Sequence, residues 1–156
     1  MRPMRPIRNS AKAIIIEQGK LLAIQNRDAA GDWYILPGGG QHPGETLVEA
    51  VKRECLEEVN VAVVVGDLCL ARECIGSHHE FAEHDAAVHE IEFIFKCTLA
   101  PGAVPGIGTE PDSAQTGFAW LDLAHLERWR LYPAILRTLL PQRANPPHPV
   151  YLGDVN

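Results

Sequence analysis

Positive charge is scarce in this chain. Fourteen lysines and arginines stand against 20 aspartates and glutamates in 156 residues, a formal net charge of −6. A broad, sequence-independent grip on a nucleic-acid backbone needs the opposite balance, so no stable nucleic-acid partner is expected. A small phosphorylated ligand stays open, because a divalent cation can reverse the sign of the field locally. Long apolar runs are also missing. No stretch approaches the ~20 residues that span a bilayer. The opening MRPMRPIRNS has arginines but no apolar signal region behind it. A cytoplasmic protein with no membrane partner is the expectation. Cysteine is sparse: Cys55, Cys69, Cys74 and Cys97 form no CxxC pair. Buried or free thiols fit better than disulfides or zinc ligands. Aromatic residues are only 6% of the chain, which leaves few side chains to stack a base.

The rest of the composition is ordinary for a globular protein, with 46% hydrophobic residues. The length suits one domain, with a core over about residues 11–140 and a proline-rich tail at 141–156. AKAIIIEQGKLLAIQN predicts two strands around a turn at Glu17–Gly19, where Gly19 can take a positive φ. WYIL predicts a short strand stopped by Pro37 and three glycines. VAVVV and LCLARECIG predict strands broken near Gly66 and Asp67, and AAVHEIEFIFKCTLA predicts a long strand. Residues 100–115 hold three prolines and three glycines and predict an irregular loop. TGFAWLDL predicts a strand, and HLERWRLYPAILRTLL one or two helices interrupted near Pro133. Strands and helices in this order make an α/β fold, a mixed sheet with flanking helices.

Thr46–Val59 contains neither glycine nor proline and predicts a helix. Thr46 and Glu49 have capping-box spacing. Val48, Val51, Cys55 and Val59 recur at steps of three and four and predict an apolar stripe. Asn60 follows and tolerates the left-handed conformation that commonly ends a helix. Within this helix, RECLEEVN carries Glu54, Glu57 and Glu58. At about 100° per residue, Glu57 lies about 60° to one side of Glu54 and Glu58 about 40° to the other. Three carboxylates on one face repel unless a cation joins them. Carboxylate oxygens are hard ligands suited to Mg²⁺ or Mn²⁺, and Mg²⁺ completes its shell with water and substrate phosphates. Gly38–Gly40 would let backbone approach such a site closely. An acidic helix alone is more often a solvated face.

Spacing changes that reading. From Gly39 the chain runs five residues to Glu45, seven more to Arg53, then Glu54, Cys55, Leu56, Glu57, Glu58, Val59, Asn60 and Val61. This segment, residues 39–61, resembles the Nudix box, Gly-x5-Glu-x7-Arg-Glu-U-x-Glu-Glu-x-Gly-U, with U a bulky apolar residue. Cys55 fills an apolar slot, and Asn60 stands in place of the final glycine. The resemblance implies a Nudix-type α/β/α sandwich. It implies Glu54, Glu57 and Glu58 as metal ligands, with Gly39 adding its carbonyl. It implies Glu54 and Glu57 as catalytic carboxylates, Glu54 serving or orienting the base that activates water. Arg53 would hold the glutamates in place, and Glu45 would brace the loop to the helix. The implied activity is a metal-dependent pyrophosphohydrolase with Mg²⁺, or Mn²⁺, as cofactor. Its substrate would be a small nucleotide, a nucleoside triphosphate or an ADP-ribose-like molecule. A binding module without turnover and a dinucleoside-polyphosphate hydrolase are the competing readings. Homodimers are common in the family.

Outside the box, Arg27 could reach a phosphate, and Tyr34 and Phe81 could stack a base. Glu80, Glu83, Glu110 and Asp112 are candidates for a further acid. His78, His79, His84 and Asp85 match no standard zinc spacing.

Overall fold

The computed structural model describes residues 5–80, 86–112, 114–142 and 148–156. The strands are β1 (Arg8–Glu17), β2 (Lys20–Asp28), β3 (Gly31–Ile35), β4 (Gly38–Gly40), β5 (Val63–Ile75), β6 (His89–Leu99), β7 (Gln115–Asp122), β8 (Leu131–Tyr132) and β9 (Tyr151–Asp154). Helix α1 is Leu47–Val59 and the short helix α2 is Leu136–Leu139. The strands join in one mixed, curled sheet of order β8-β3-β2-β1-β6-β5-β9, with β4 added on β1 and β7 on β2. No helix among the described residues is long and apolar enough to cross a membrane.

β1 is the hinge of this sheet. Its C-terminal end pairs with β2 through a turn in which Gln18 and Gly19 both take positive φ. Its N-terminal half is held by β4 on one side and by parallel β6 on the other. Alternation then divides its side chains between two cores. Ala11, Ala13 and Ile15 pack with Leu22, Ile24, Phe95 and the inner face of α1. Ile14 points the opposite way, into a cluster with Leu70, Ile94, Leu126, Leu131 and Leu136.

Helix α1 starts and ends as its sequence predicts. Both halves of the Thr46–Glu49 capping box are formed. Asn60 closes the helix at φ 54° and ψ 40°, left-handed, with its N–H bonded back to the last turn. The buried stripe differs in one member. Val48 is 39% exposed, while Ala50 and Glu58 join Val51, Cys55 and Val59 inside.

Three other expectations change. β5 runs unbroken through Gly66 and Asp67, because register shifts absorb the irregularity between Val65 and Leu68. The region after β7, read as one or two helices interrupted near Pro133, is a 3-10 segment at Leu123–Arg128, then β8, then the short α2. The tail beyond residue 141 ends in strand β9, parallel to β5, so its last described part belongs to the sheet.

Candidate metal and phosphate site

The glycine run is narrow because the neighbours leave no room. A Cβ at Gly39 would lie 2.6 Å from Glu54 Oε1. Gly38, at φ 137°, would press on the backbone of Ala11 and Lys12. Strand β4 is thereby clamped between β1 and the acidic face of α1, and Glu54 lies directly against it.

Glu58 is the deepest of the three box acids, 1% exposed. Its Oε1 accepts a hydrogen bond from the Gly38 N–H at 2.8 Å. Its Oε2 is buried with no hydrogen-bond partner. Burial pushes the Glu58 carboxyl up to about 8, against the opposing pull of Lys12 and the Gly38 amide. Glu54 is also raised, first by burial and then by Glu57, with Arg53 opposing.

Arg53 ties the neighbouring acids together. Its Nη2 donates to Glu45 Oε1 at 2.7 Å and to the Gly40 carbonyl at 2.8 Å. Its Nε donates to Glu45 Oε2 at 3.1 Å. Its Nη1 reaches Glu54 Oε1 at 3.0 Å and Glu57 Oε2 at 3.2 Å. The bidentate pairing with Glu45 uses the guanidinium fork, which lysine could not copy. Arg53 holds the Glu45 carboxyl down to about 2. Glu45 also accepts from the His42 N–H, so it fixes the loop before the helix.

Glu54 and Glu57 each spend one oxygen on Arg53, which leaves the other for a ligand. Among the described residues, no three His, Cys, Asp or Glu side chains already converge as a metal cluster. The donor set nevertheless suits a hard divalent cation: Glu58 Oε2 is buried without a partner, and Glu54 lies beside the Gly39 backbone.

Two contributors escape a reading of the box alone. Lys12 is half-buried on β1, and its Nζ donates to the Gly38 carbonyl at 3.2 Å. Its charge acts on Glu54 and Glu58 on one side and on Glu90 and Glu92 on the other. The only signal in sequence is one lysine inside the apolar run AKAIII. The second contributor is the 100–115 loop, which crosses the C-terminal end of α1. The N–H groups of Gly106 and Glu110 donate to the carbonyls of Val59 and Glu57. Gln115 Nε2 donates to the Glu58 carbonyl at 3.0 Å. A side chain at Gly108 would collide with the Glu57 carbonyl. This crossing brings Asp112 close enough for its charge to raise Glu58 further. Glu110 instead is tied in by its backbone.

A cleft of about 480 Å³ opens between β2, β3, β5, β6 and the C-terminal segment. Arg27 lines it, paired with Asp32 at 2.7 Å. Tyr34 does not line it. Its ring is 7% exposed and packs edge-on against Trp129 in the core. Its neighbour Trp33 lines the cleft instead. Phe81, Glu83, His84 and Asp85 lie outside the described residues. His78 and His79 both meet the Asp154 carboxylate, so they anchor β9.

The comparisons with known proteins agree with this geometry. The model of the NUDIX domain matches residues 6–142. The human 8-oxo-dGDP phosphatase is 49% identical over 47 residues, 29% of this chain and only 14% of that protein's length. A NUDIX hydrolase from Nitrosomonas europaea has the same fold, with a TM-score of 0.68 at 17% identity over 93% of this chain and 94% of the other. An ADP-ribose pyrophosphatase from Streptococcus suis superposes with a TM-score of 0.61 at 18% identity, covering 96% of this chain and 100% of its own. With the box, its clamped glycines and the curled mixed sheet all in place, the chain belongs to the NUDIX domain family and has the fold of the Nudix hydrolases.

Proposed function

We infer that this member of the family hydrolyses a phosphoanhydride bond in a small nucleotide and that it depends on a divalent metal, Mg²⁺ or Mn²⁺. The observation that carries the reading is Glu58: a buried carboxylate with one oxygen satisfied by the Gly38 amide and the other without a partner. A buried, unsatisfied carboxylate oxygen is costly, and an incoming cation removes that cost.

Glu54, Glu57 and Glu58, with the Gly39 carbonyl, would hold the metal. When bound, it supplies neutralisation of phosphate oxygens and a more acidic water. The protein's own groups do the rest. Arg53 holds Glu54 and Glu57 on one side through its Nη1, so their other oxygens stay aimed. Glu54 is half-buried and its carboxyl is raised by burial; it would accept a proton from the attacking water. Lys12, whose charge pulls on Glu54 and Glu58, would offer a positive charge to a phosphate chain.

The substrate favoured is a nucleoside triphosphate or an ADP-ribose-like nucleotide. The test is a nucleotide panel with Mg²⁺, with Mn²⁺ and with chelator, in ¹⁸O-labelled water. Metal-dependent turnover is expected, and the label in one product identifies the phosphorus attacked. Absence of turnover on every nucleotide would leave a binding module instead.

A further inference from the structure

The acid site carries a positive charge of its own, and that charge is not paired with an acid. Register sets Lys12 of β1 opposite Gly38 of β4 on one flank and Ile94 of β6 on the other. The lysine stem lies across Gly38, where a Cβ would come within 2.8 Å of Lys12 Cδ. The half-buried ammonium ends on the Gly38 carbonyl at 3.2 Å. The same residue serves an acid from its other end: the Gly38 N–H donates to Glu58 Oε1 at 2.8 Å. Glycine at position 38 thus joins the lysine to the deepest acid of the box.

The neighbouring guanidinium groups are spent. Arg53 is bonded to Glu45, Glu54 and Glu57, and Arg72 is paired with Glu92. Lys12 forms no ion pair among the described residues. It rests on a neutral carbonyl while Glu58 Oε2 lies buried without a partner. An ammonium gains more from an anionic oxygen than from a carbonyl. Its Cα and stem both press on Gly38, which keeps the head at that carbonyl. Its field still reaches the acids. At Glu58 it is the largest influence opposing burial, and it acts on Glu54 as well.

A divalent ion among Glu54, Glu57 and Glu58 meets Lys12 as a like charge. The acids attract the ion and the ammonium repels it, so the ion alone binds more weakly than the acids by themselves would allow. A phosphate chain changes the balance. Its oxygens offer the ammonium an anionic partner in place of the carbonyl. Lysine is a compact charge on a flexible stem, so the head can pivot while β1 stays in place. Phosphate then cancels the repulsion that the ion meets alone. Ion and phosphate strengthen each other by the same factor.

We propose that Lys12 holds metal affinity down in the free protein and, by turning from the Gly38 carbonyl to a substrate phosphate, makes firm metal binding conditional on the phosphate chain. The proposal rests on the metal-dependent reading of the site.

The experiment titrates Mn²⁺ alone into the intact chain and reads the free ion by electron spin resonance, with thermal melts to show that each variant is folded. Lys12→Met removes the charge and keeps a stem of similar length. Lys12→Gln removes the charge and keeps an N–H donor. Both should bind Mn²⁺ roughly 10-fold more tightly than the unaltered chain. Lys12→Arg keeps the charge and should bind as the unaltered chain does. A residue that only pinned β4 would give the opposite sign, because its loss would loosen the groups around the ion. At saturating Mn²⁺, Lys12→Met should lose roughly 10-fold in kcat/KM on the best nucleotide of the panel, mainly through KM. One substitution therefore moves metal and nucleotide in opposite directions. Mn²⁺ affinity unchanged or weakened in both neutral variants overturns the proposal and leaves the hydrolase reading in place. Tighter Mn²⁺ binding with kcat/KM unchanged overturns the turn to phosphate. No Mn²⁺ bound by the unaltered chain or by either neutral variant at millimolar concentration overturns the proposal together with the metal-dependent reading.

Discussion

Two glutamates of this fold are buried to nearly the same depth and behave in opposite ways. Glu58, on α1, is 1% exposed, and Glu92, on β6, is 6% exposed. Burial raises both carboxyls. At Glu92 the Arg72 guanidinium, 2.7 Å away, and then Lys12 overcome it and the carboxyl ends below its ordinary value. At Glu58 the Lys12 charge and the Gly38 amide fall short, and the carboxyl sits near 8. The fold thus supplies a cation to one buried acid and withholds it from the other. Glu92 with Arg72 is a finished structural pair. Glu58 is an incomplete one, and under the proposed metal-dependent reading its counter-charge would arrive with the cation.

The largest effect expected from this contrast is catalytic. Glu57→Gln keeps size and shape but removes one of the ligands assigned to the metal, so kcat should fall by orders of magnitude while the melting temperature hardly moves. Steady-state kinetics on the best nucleotide of the panel, beside a thermal melt, checks it. Full activity in that variant would remove the acid face from the mechanism and leave Glu58 as a mere packing defect.

Next comes the completed pair. Arg72→Ala strands Glu92 in the sheet without its cation, and breaking a buried pair in this way costs about 3–5 kcal/mol. Urea unfolding measures the loss. Replacing both partners, Arg72→Met with Glu92→Leu, should recover most of it, because two apolar side chains leave nothing unsatisfied. If Arg72→Ala proves nearly neutral, Glu92 is not held by Arg72 and the comparison loses one arm.

A pH experiment reads the two acids against each other. In metal-free protein the folded state holds the Glu58 proton that the unfolded chain releases, over the interval from 4.5 to about 8. Stability therefore falls as pH rises through that interval and levels off above it. Glu92 has the opposite sign: its contribution is present above the ordinary carboxylate value and fades as pH falls through its depressed one. Glu58→Gln should flatten the decline between 4.5 and 8, and chelated protein melted across this range is the measurement. An unchanged slope in Glu58→Gln would mean that another group carries the proton.

What could be read from the chain follows the distance over which each feature is decided. The α1 caps, the box spacing and the β1–β2 turn depend on neighbours a few residues away, and all three form as their residues predict. Features decided by tertiary contact do not show. Lys12 reads as a stray charge until β4 folds across it. β9 reads as a proline-rich tail until it finds β5, to which Arg72 and Val155 tie it from 83 residues apart. Tyr34 turns into the core because β3 is only five residues long, and its facing depends on pairing with β2 and β8. A pattern of period two over so short a strand leaves both facings open until its partners choose one.

The smallest effect concerns the end of α1, and it tests another origin for the state of Glu58. A slack helix terminus could also leave a buried oxygen without a partner. Asn60 holds that terminus in the left-handed conformation at φ 54°. Glycine adopts this conformation without strain, which favours Asn60→Gly, but it also frees the unfolded chain by roughly 0.4–1 kcal/mol, which opposes it. The two nearly cancel, so Asn60→Gly should change stability by less than about 1 kcal/mol. Asn60→Ala meets the left-handed penalty without the local hydrogen bonding of asparagine, and should lose about 1 kcal/mol. In both variants the decline of stability between pH 4.5 and about 8 should persist, because Gly106, Glu110 and Gln115 hold the last carbonyls of the helix independently of the cap. Urea unfolding at the two ends of that pH range decides the matter. If the slope changes with residue 60, the proton on Glu58 belongs to a loose helix end, and its contrast with Glu92 is one of order rather than of charge.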